Sequence, residues 1–467
     1  MSSTSTEAVL AEFIHDIQID SVDKRIQHET TRTLINFFAV ALSGSKHPTA
    51  NSLASLIQQE GGNALATVIG MGLQANLQQS SFSNGYLAHL QDFDDTHFPT
   101  VLHPSAPIWP ATLAIAETKK MSGVDTLLAG MIGLEVACRV ANSVHPWHYD
   151  QGWHITGTAG VFGAAAAASR LLELSPEQTI QALGLAGTQS AGVRETFGTA
   201  GKPLHAGHAA SSGVHSALLI QNGFDGPTQI LSGRRGWPAV YSSDGFDPSR
   251  ITEGLGTRWE LLNNGLKPYA NGVVSHPIQD AIITLRNEHK LTHESIEEIN
   301  LQVHPLVFEL MDRPSPTTGL DAKFSFQHCA ATALIYGSGT DEQFSDLRVN
   351  EPEVQALRAK IQATINNSFQ EDETDASIRT IDGTTYQVHI EHASGSPKNP
   401  LSDEKLTKKF NDLTHPVIGT QEAQQLLSGL EDIANTTDIL ELMRIARGGQ
   451  TNRYSSLPPD FQEVCFS

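Results

Sequence analysis

Apolar residues fall at helical spacing over most of the chain. Ile26, Leu34, Phe37, Phe38 and Ala41 follow a 3.6-residue period behind Asp20 and Ser21, which offer an N-cap, and Gly44 supplies the stop. Similar signals predict helices at about 50–61, 74–91, 111–120 and 124–144, and none of these stretches reads as a strand. The run GWHITGTAGVFGAAAAASRLLEL from Gly152 places Gly157, Gly160 and Gly163 at intervals of three ahead of an alanine run. Small residues so spaced let helices approach closely, which predicts a helix buried in a bundle. A helix at about 176–186 follows, and 209–219 is again small and apolar.

The pattern changes near residue 266. LKPYANGVVSHPIQD is rich in Pro, Gly and Asn, with a helix predicted after Pro277; beyond it Ile299, Leu301 and Val303 alternate as a strand does. Asp382-Gly383 stands between two alternating runs, Ile378 and Thr380 before it and Tyr386, Val388 and Ile390 after it, which predicts a hairpin. Helices are predicted between these strands at about 324–336 and 351–364. From Ser402 helical patterning returns, near 405–410, 421–427 and 437–447. The fold class expected is therefore mainly α: a large all-helical domain formed by both chain ends, 1–265 and 400–467, with a smaller α+β domain inserted at 266–399.

Length agrees with that division, since 467 residues exceed one core of ordinary size. With 30 basic and 51 acidic residues the formal charge is 30 − 51 = −21, a surface that repels nucleic acid and anionic lipid. A pocket for an anion must then supply its own positive charge. Cys138, Cys329 and Cys465 form no CxxC, so neither a disulfide framework nor a zinc knuckle is indicated. No basic segment precedes an apolar one at the N-terminus, and no apolar run reaches membrane length. A cytoplasmic protein with no nucleic-acid or membrane partner is expected.

Candidate chemistry concentrates in NGYLAHLQDFDDTHFPTVLHPSAPIWP, residues 84–110. It holds Asp92, Asp94 and Asp95 with His89, His97 and His103 between two apolar helices, a density costly to bury unless the groups are paired or used. Leu87 and Leu90 at helical spacing place Asp92 to Thr96 at or just past a helix end. Pro99, Pro104, Pro107 and Pro110 argue against a regular helix through the middle of the stretch, with helical character resuming after Pro110. His154 precedes the small-residue helix, where an N-terminus favours an anion. Lys202 and His205 lie between Gly201 and Gly207.

Together NGYLAHLQDFDDTH…HPSAPIWPA, GWHITGTAG, GKPLHAGHAA, LKPYANGVVSHPIQD and RPSPTTGLDAKFSFQH resemble the MmgE/PrpD family over nearly the whole chain. The resemblance implies a helical domain with an inserted α+β domain, a homodimer, a cleft between the domains, and lyase or isomerase chemistry on a small di- or tricarboxylate without metal or organic cofactor. It carries the family's catalytic and substrate-binding positions onto Asp92, Thr96, His103, His154, Lys202 and His276, with Lys267 as a further carboxylate contact. His103 and His154 would transfer protons, Lys202, Lys267 and His276 would meet substrate charge, Asp92 would orient or polarise a histidine, and Thr96 would hydrogen-bond a substrate oxygen. Dehydration of a 2-methylcitrate-like hydroxy acid leads. Decarboxylation of the cis-aconitate type stands second, because the tyrosine associated with that branch has no counterpart between Leu301 and Arg313, where Phe308 stands; isomerase or epimerase chemistry is a further alternative. Two readings from other classes remain: DFDDTH as a Mg²⁺-binding cluster of a helical prenyl-diphosphate enzyme, and a non-catalytic scaffold. Against the first stand an aromatic content of only 6% and the lack of a second ligand-rich helix.

Overall fold

A computed structural model describes residues 5–242 and 245–449. The first apolar repeat folds as α1 (Lys24–Gly44), capped by Asp23, whose carboxylate accepts from the Arg25 N–H at 2.7 Å. Asp20 and Ser21 sit instead in a separate 3-10 turn, Ile19–Ser21. Helix α2 (Leu77–His89) is capped by Asn76 and ends just short of Asp92. Helix α3 (Ser105–Lys119) begins earlier than the prolines suggested. Pro107 occupies its first turn, where an N–H would have no intrahelical partner, so only Pro110 removes a bond.

Helices α4 (Gly123–Val144), α5 (Ile155–Leu171) and α6 (Gly201–Gln221) complete the body around the site. Glycine sets how near they come. A Cβ on Gly163 would lie 2.3 Å from the Gly133 carbonyl oxygen, and one on Gly207 would lie 2.4 Å from that of Phe82. The first contact presses α5 onto α4. The second seats α6, with Lys202 and His205 near its start, against α2 and His89.

The first 265 residues are not wholly helical. β1 (Ala66–Val68) pairs antiparallel with β2 (Leu73–Ala75), and β3 (Asp95–His97) pairs antiparallel with β4 (Asn264–Leu266). Strands so short carry too little alternation to register as a period. The larger sheet contains β5 (Ile296–Val303), β6 (Ile361–Ile365), β7 (Thr374–Thr380) and β8 (Thr385–Ile390) in the order β6-β5-β7-β8, with only β5 and β6 parallel. The helix expected over 351–364 stops at Arg358, and Ile361, Ala363 and Ile365 alternate with Gln362 and Thr364 as β6. The sheet rests on α7 (His276–His289), with α8 (Phe326–Tyr336) packed against α7 and β6.

Helix α9 (Asp403–Ile418) returns along α1, where Arg32 pairs with Asp403 and Lys409 Nζ donates to Asn36 Oδ1 at 2.7 Å. The chain then runs through helices Thr420–Glu431 and Leu440–Arg447 to the β1–β2 turn, where the Ala446 and Arg447 carbonyls accept from Gly70 and Gly72. Among the described residues no helix is long and apolar enough to cross a membrane. Cys138 and Cys329 are buried free thiols, and Cys465 lies outside the described residues.

Candidate active site

The site is assembled by the β3–β4 pairing, which joins segments far apart in sequence. Asp95 stands opposite Leu266 and Thr96 opposite Gly265, so Lys267 emerges beside the chain between α2 and β3. That chain turns sharply: Asp92 takes a left-handed φ of 52°, a conformation that aspartate tolerates better than most residues. The turn aims the Asp92 carboxylate inward, where its Oδ1 receives Lys267 Nζ at 2.6 Å and Lys202 Nζ at 2.9 Å. Lys202 comes from the first turn of α6, so one carboxylate oxygen links segments from three parts of the chain.

Burial alone would raise the Asp92 pKa, but the two ammoniums of Lys202 and Lys267 hold it well below the usual carboxylate range. The Lys202 ammonium is pushed down by the same burial, against the pull of Asp92. A third ammonium stands behind them. Lys409 Nζ, from α9, donates to the carbonyl oxygens of Phe93 at 2.7 Å and Lys267 at 2.8 Å, bracing both of the loops that carry the ion pair.

The other two acids of the stretch face elsewhere. Asp94 Oδ2 accepts from His89 Nδ1 at 2.7 Å, while its Oδ1 lies 3.6 Å from His103 Nδ1. Asp95 accepts from the Ser105 hydroxyl and from Asn264 Nδ2, and burial beside Asp94 pushes its carboxyl up to about 6. Ligand atoms of His89, Asp92, Asp94 and His103 do lie within 4.8 Å of one another, the spacing a cation could use. However, the two lysines already neutralise Asp92 and the His89 ring occupies Asp94, which makes this donor set a poor host for added positive charge. The arrangement gives DFDDTH divergent partners rather than one shared ion.

His103 has a tautomer fixed by its surroundings. Its Nδ1 lies 2.7 Å from the Asp95 carbonyl oxygen, which can only accept, so Nδ1 carries the proton and Nε2 the lone pair. Burial, reinforced by Lys267, holds this ring's pKa well below the ordinary value and keeps it neutral. The Thr96 hydroxyl lies 3.2 Å from the same Nδ1. His154 is the N-cap residue of α5; it stacks on His89 at 5.5 Å and meets Phe197 edge-on at 5.0 Å. Burial and the neighbouring His89 and Lys202 push its pKa well down.

These groups line a narrow cleft, part of it open to solvent. The lining combines the polar Asp92, Thr96, His103, His154, Lys202 and Lys267 with the apolar Val273, Val274, Leu310, Met311, Phe197 and Phe324, and Lys202 Nζ lies 5.3 and 5.2 Å from the centres of the last two rings. Tyr149 also reaches the cleft, its ring beneath the Arg194 guanidinium at 4.0 Å, and Arg194 pairs with Glu309 at 2.6 Å. His276 does not line the cleft. Its Nε2 donates to the Asn271 carbonyl at 3.3 Å and its ring meets Tyr269 edge-on, so it sits behind Lys267, with burial holding its pKa down to about 3. Asp92, expected to orient a histidine, comes no nearer to one than 4.0 Å from His103 Nε2, and Asp94 makes that contact instead. Lys409, Tyr149 and Phe324 escaped sequence reasoning: Lys409 follows Lys405 and Lys408 on an amphipathic helix and reads there as a solvated residue.

Two family models cover most of the chain, the MmgE/PrpD N-terminal domain over residues 8–249 and the MmgE/PrpD C-terminal domain over residues 269–432. Among similar proteins, cis-aconitate decarboxylase of Mus musculus is 28% identical, with 96% of this chain and 94% of the relative covered. Cis-aconitate decarboxylase of Aspergillus terreus is 23% identical, with 94% and 97% covered. The 2-methylcitrate dehydratase of Salmonella typhimurium is 23% identical, with 78% and 80% covered. The chain belongs to the MmgE/PrpD family.

Proposed function

We propose that the protein is a lyase acting on a small tricarboxylate in the cleft, and that decarboxylation of a cis-aconitate-like acid is the reaction favoured. The observation that carries this reading is the Asp92 carboxylate holding two buried ammoniums in a cleft that is otherwise largely apolar. Lys202, whose one polar partner among the described residues is Asp92, can turn a remaining N–H toward a substrate carboxylate, while Lys267, its three N–H groups committed to Asp92 and the Asn271 carbonyl, adds positive charge behind it. Together they offset the desolvation of a polyanion inside a chain of net charge −21.

A carboxylate placed against Val273, Val274, Leu310 and Met311 is poorly solvated, whereas the neutral carbon dioxide that leaves it is not penalised there. The C–C bond breaks, its electron pair spreads onto the neighbouring carboxylate held by the lysines, and a proton then adds at carbon. Support for this branch also comes from the decarboxylases that match nearly the whole chain. The missing tyrosine between Leu301 and Arg313 weighs less, because Phe308 packs on Phe326 away from the cleft while Tyr149 brings a phenol to it from the helical body.

Dehydration of a 2-methylcitrate-like acid is the second reading, favoured by the lone pair on His103 Nε2, which is poised as a base. The test is a panel of cis-aconitate, citrate and 2-methylcitrate, with carbon dioxide release and alkene formation followed separately. Carbon dioxide from cis-aconitate alone supports the first reading and alkene from a hydroxy acid supports the second. Turnover of none of them removes both.

A further inference from the structure

His154 and His103 both face the cleft, yet only His103 has its protons fixed by a backbone carbonyl. The Nδ1 of His154 meets another imidazole, that of His205 on α6, whose Nδ1 lies 2.9 Å away. Between two neutral rings such a contact needs one N–H and one lone pair, and either ring can supply either. His154 Nε2 has no hydrogen-bond partner and is buried at the cleft, while His205 Nε2 has no protein partner among the described residues and its residue is 7% exposed. The two rings therefore form a short path from the cleft to a second imidazole that keeps some solvent exposure.

We propose that His205 is a positioning residue that passes one shared proton to His154, setting whether the cleft-facing Nε2 of His154 acts as acid or base. This rests on the tricarboxylate-lyase reading. When His205 Nδ1–H donates, His154 carries its proton on Nε2 and is an acid toward the cleft; when His154 Nδ1–H donates, Nε2 holds a lone pair and is a base. In decarboxylation the protons move in one chain. The His154 Nε2–H bond breaks and its proton joins the substrate carbanion, the His205 Nδ1 proton moves to His154 Nδ1, and a solvent proton binds His205 Nε2. One proton is taken from solvent, as loss of carbon dioxide from a carboxylate requires.

Charge around the pair favours this neutral exchange over an imidazolium. The groups that face His205 are His89, His208, Lys202 and His154, none of them an acid, and burial with these neighbours holds its pKa down to about 4. Gly192 keeps both rings in register: its carbonyl accepts from the His154 N–H at 3.1 Å, and at its φ of 126° a Cβ would lie 2.8 Å from His205 Cγ.

The test replaces His205 with Asn or Gln, either of which can keep a hydrogen bond to His154 but cannot relay a proton. On whichever acid of the panel the wild type turns over, kcat falls roughly 10- to 100-fold with KM within about threefold, a general acid–base effect. In mixtures of H₂O and D₂O the wild-type rate bows with deuterium content, more than one proton being in flight, and the variant rate becomes linear. A kcat within about twofold of wild type, or a bowed curve that persists in both variants, overturns the proposal. Nitrogen NMR of labelled histidine is read in parallel, independently of turnover: the His154 ring nitrogens shift in the variants while those of His103 do not. Unchanged His154 signals overturn the proposal even if no acid in the panel is a substrate, a result that by itself counts only against the lyase reading.

Discussion

Glu135 and Arg139 on α4 are as deeply buried as Asp92 and its lysines, but the two clusters are finished differently. Arg139 Nε meets Glu135 Oε1 at 2.6 Å, and its remaining N–H groups go to the carbonyls of Ile251, Glu253, Gly254 and Arg258. Glu135 in turn accepts from the N–H groups of Glu260 and Leu261, both at 3.1 Å. Every donor on that guanidinium has a partner. Around Asp92, by contrast, His89 Nε2, Asp94 Oδ1 and His154 Nε2 are buried with none. A closed network holds a fold together; one left open at a cleft has capacity for a ligand. The difference between them is where turnover and stability should separate.

The largest effect is expected at the closed cluster. Arg139→Met leaves the Glu135 carboxylate buried without its partner and should cost about 3–5 kcal/mol of stability, read by chemical denaturation, with activity lost only as the fold is lost. Lys202→Met at the open cluster should do the reverse. It removes a cation that meets developing charge, so kcat/KM falls roughly 100- to 1,000-fold while the helical circular-dichroism signal and the denaturation midpoint change little. If Lys202→Met unfolds the protein and Arg139→Met merely slows it, the distinction between the two clusters is wrong.

How much of this was legible in the sequence depended on range. His154 and Lys202 stood out because glycine and alanine surround them, and those residues do let α5 and α6 approach their neighbours closely. Three histidines and three acids between apolar helices mark 89–103 as a site. Partners were hidden. That Lys267 reaches Asp92 follows from the β3–β4 pairing, three residues long and joining position 95 to position 266, which leaves no periodic trace. Lys409 was hidden by its own helix, and β6 by the helical signal just before it. Local pattern gave the elements; the long-range contacts decided which charges meet.

A smaller effect separates the clusters by pH. His103 and His154 are held neutral well below the ordinary 6.5, His276 and His97 at about 3 and His205 at about 4, all chiefly by burial. Below pH 6.5 the unfolded chain takes up protons that the folded one refuses, so the stability these groups contribute is full above that value and is lost as pH falls. Each costs at most about 1.4 kcal/mol per pH unit in that window. Asp95 opposes them: pushed up to about 6 from 3.8, it binds more protons in the folded state between those values and so favours folding as pH falls. Glu371, pushed up to about 7, opposes them as well, but His145, His148 and His328, each held down to about 4, add to the histidine side, and the depressed histidines outweigh the raised acids to leave a net loss. Tm should therefore drop between about pH 7.5 and about pH 5.5, and replacing His276 with Asn should flatten part of that slope. A Tm that holds steady through this range would mean that the imidazoles are charged in the folded protein.

The smallest effect is a null one, and it bears on what fills the open cluster. If the gap among His89, Asp92, Asp94 and His103 were a cation site, chelation would remove its charge and turnover would fall with it. Here the carboxylates are already matched: two ammoniums lie within 2.9 Å of one oxygen of Asp92, and Asp94 is held by His89 at 2.7 Å. A divalent ion would have to displace an ammonium to enter. EDTA should accordingly leave kcat/KM within about twofold, whereas Asp92→Asn, which strips both lysines of their shared anion, should lower it roughly 100-fold or more. Chelation that abolished turnover, with activity restored by a divalent ion, would place a metal where the lysines now stand and would reverse the assignment of charge in the cleft.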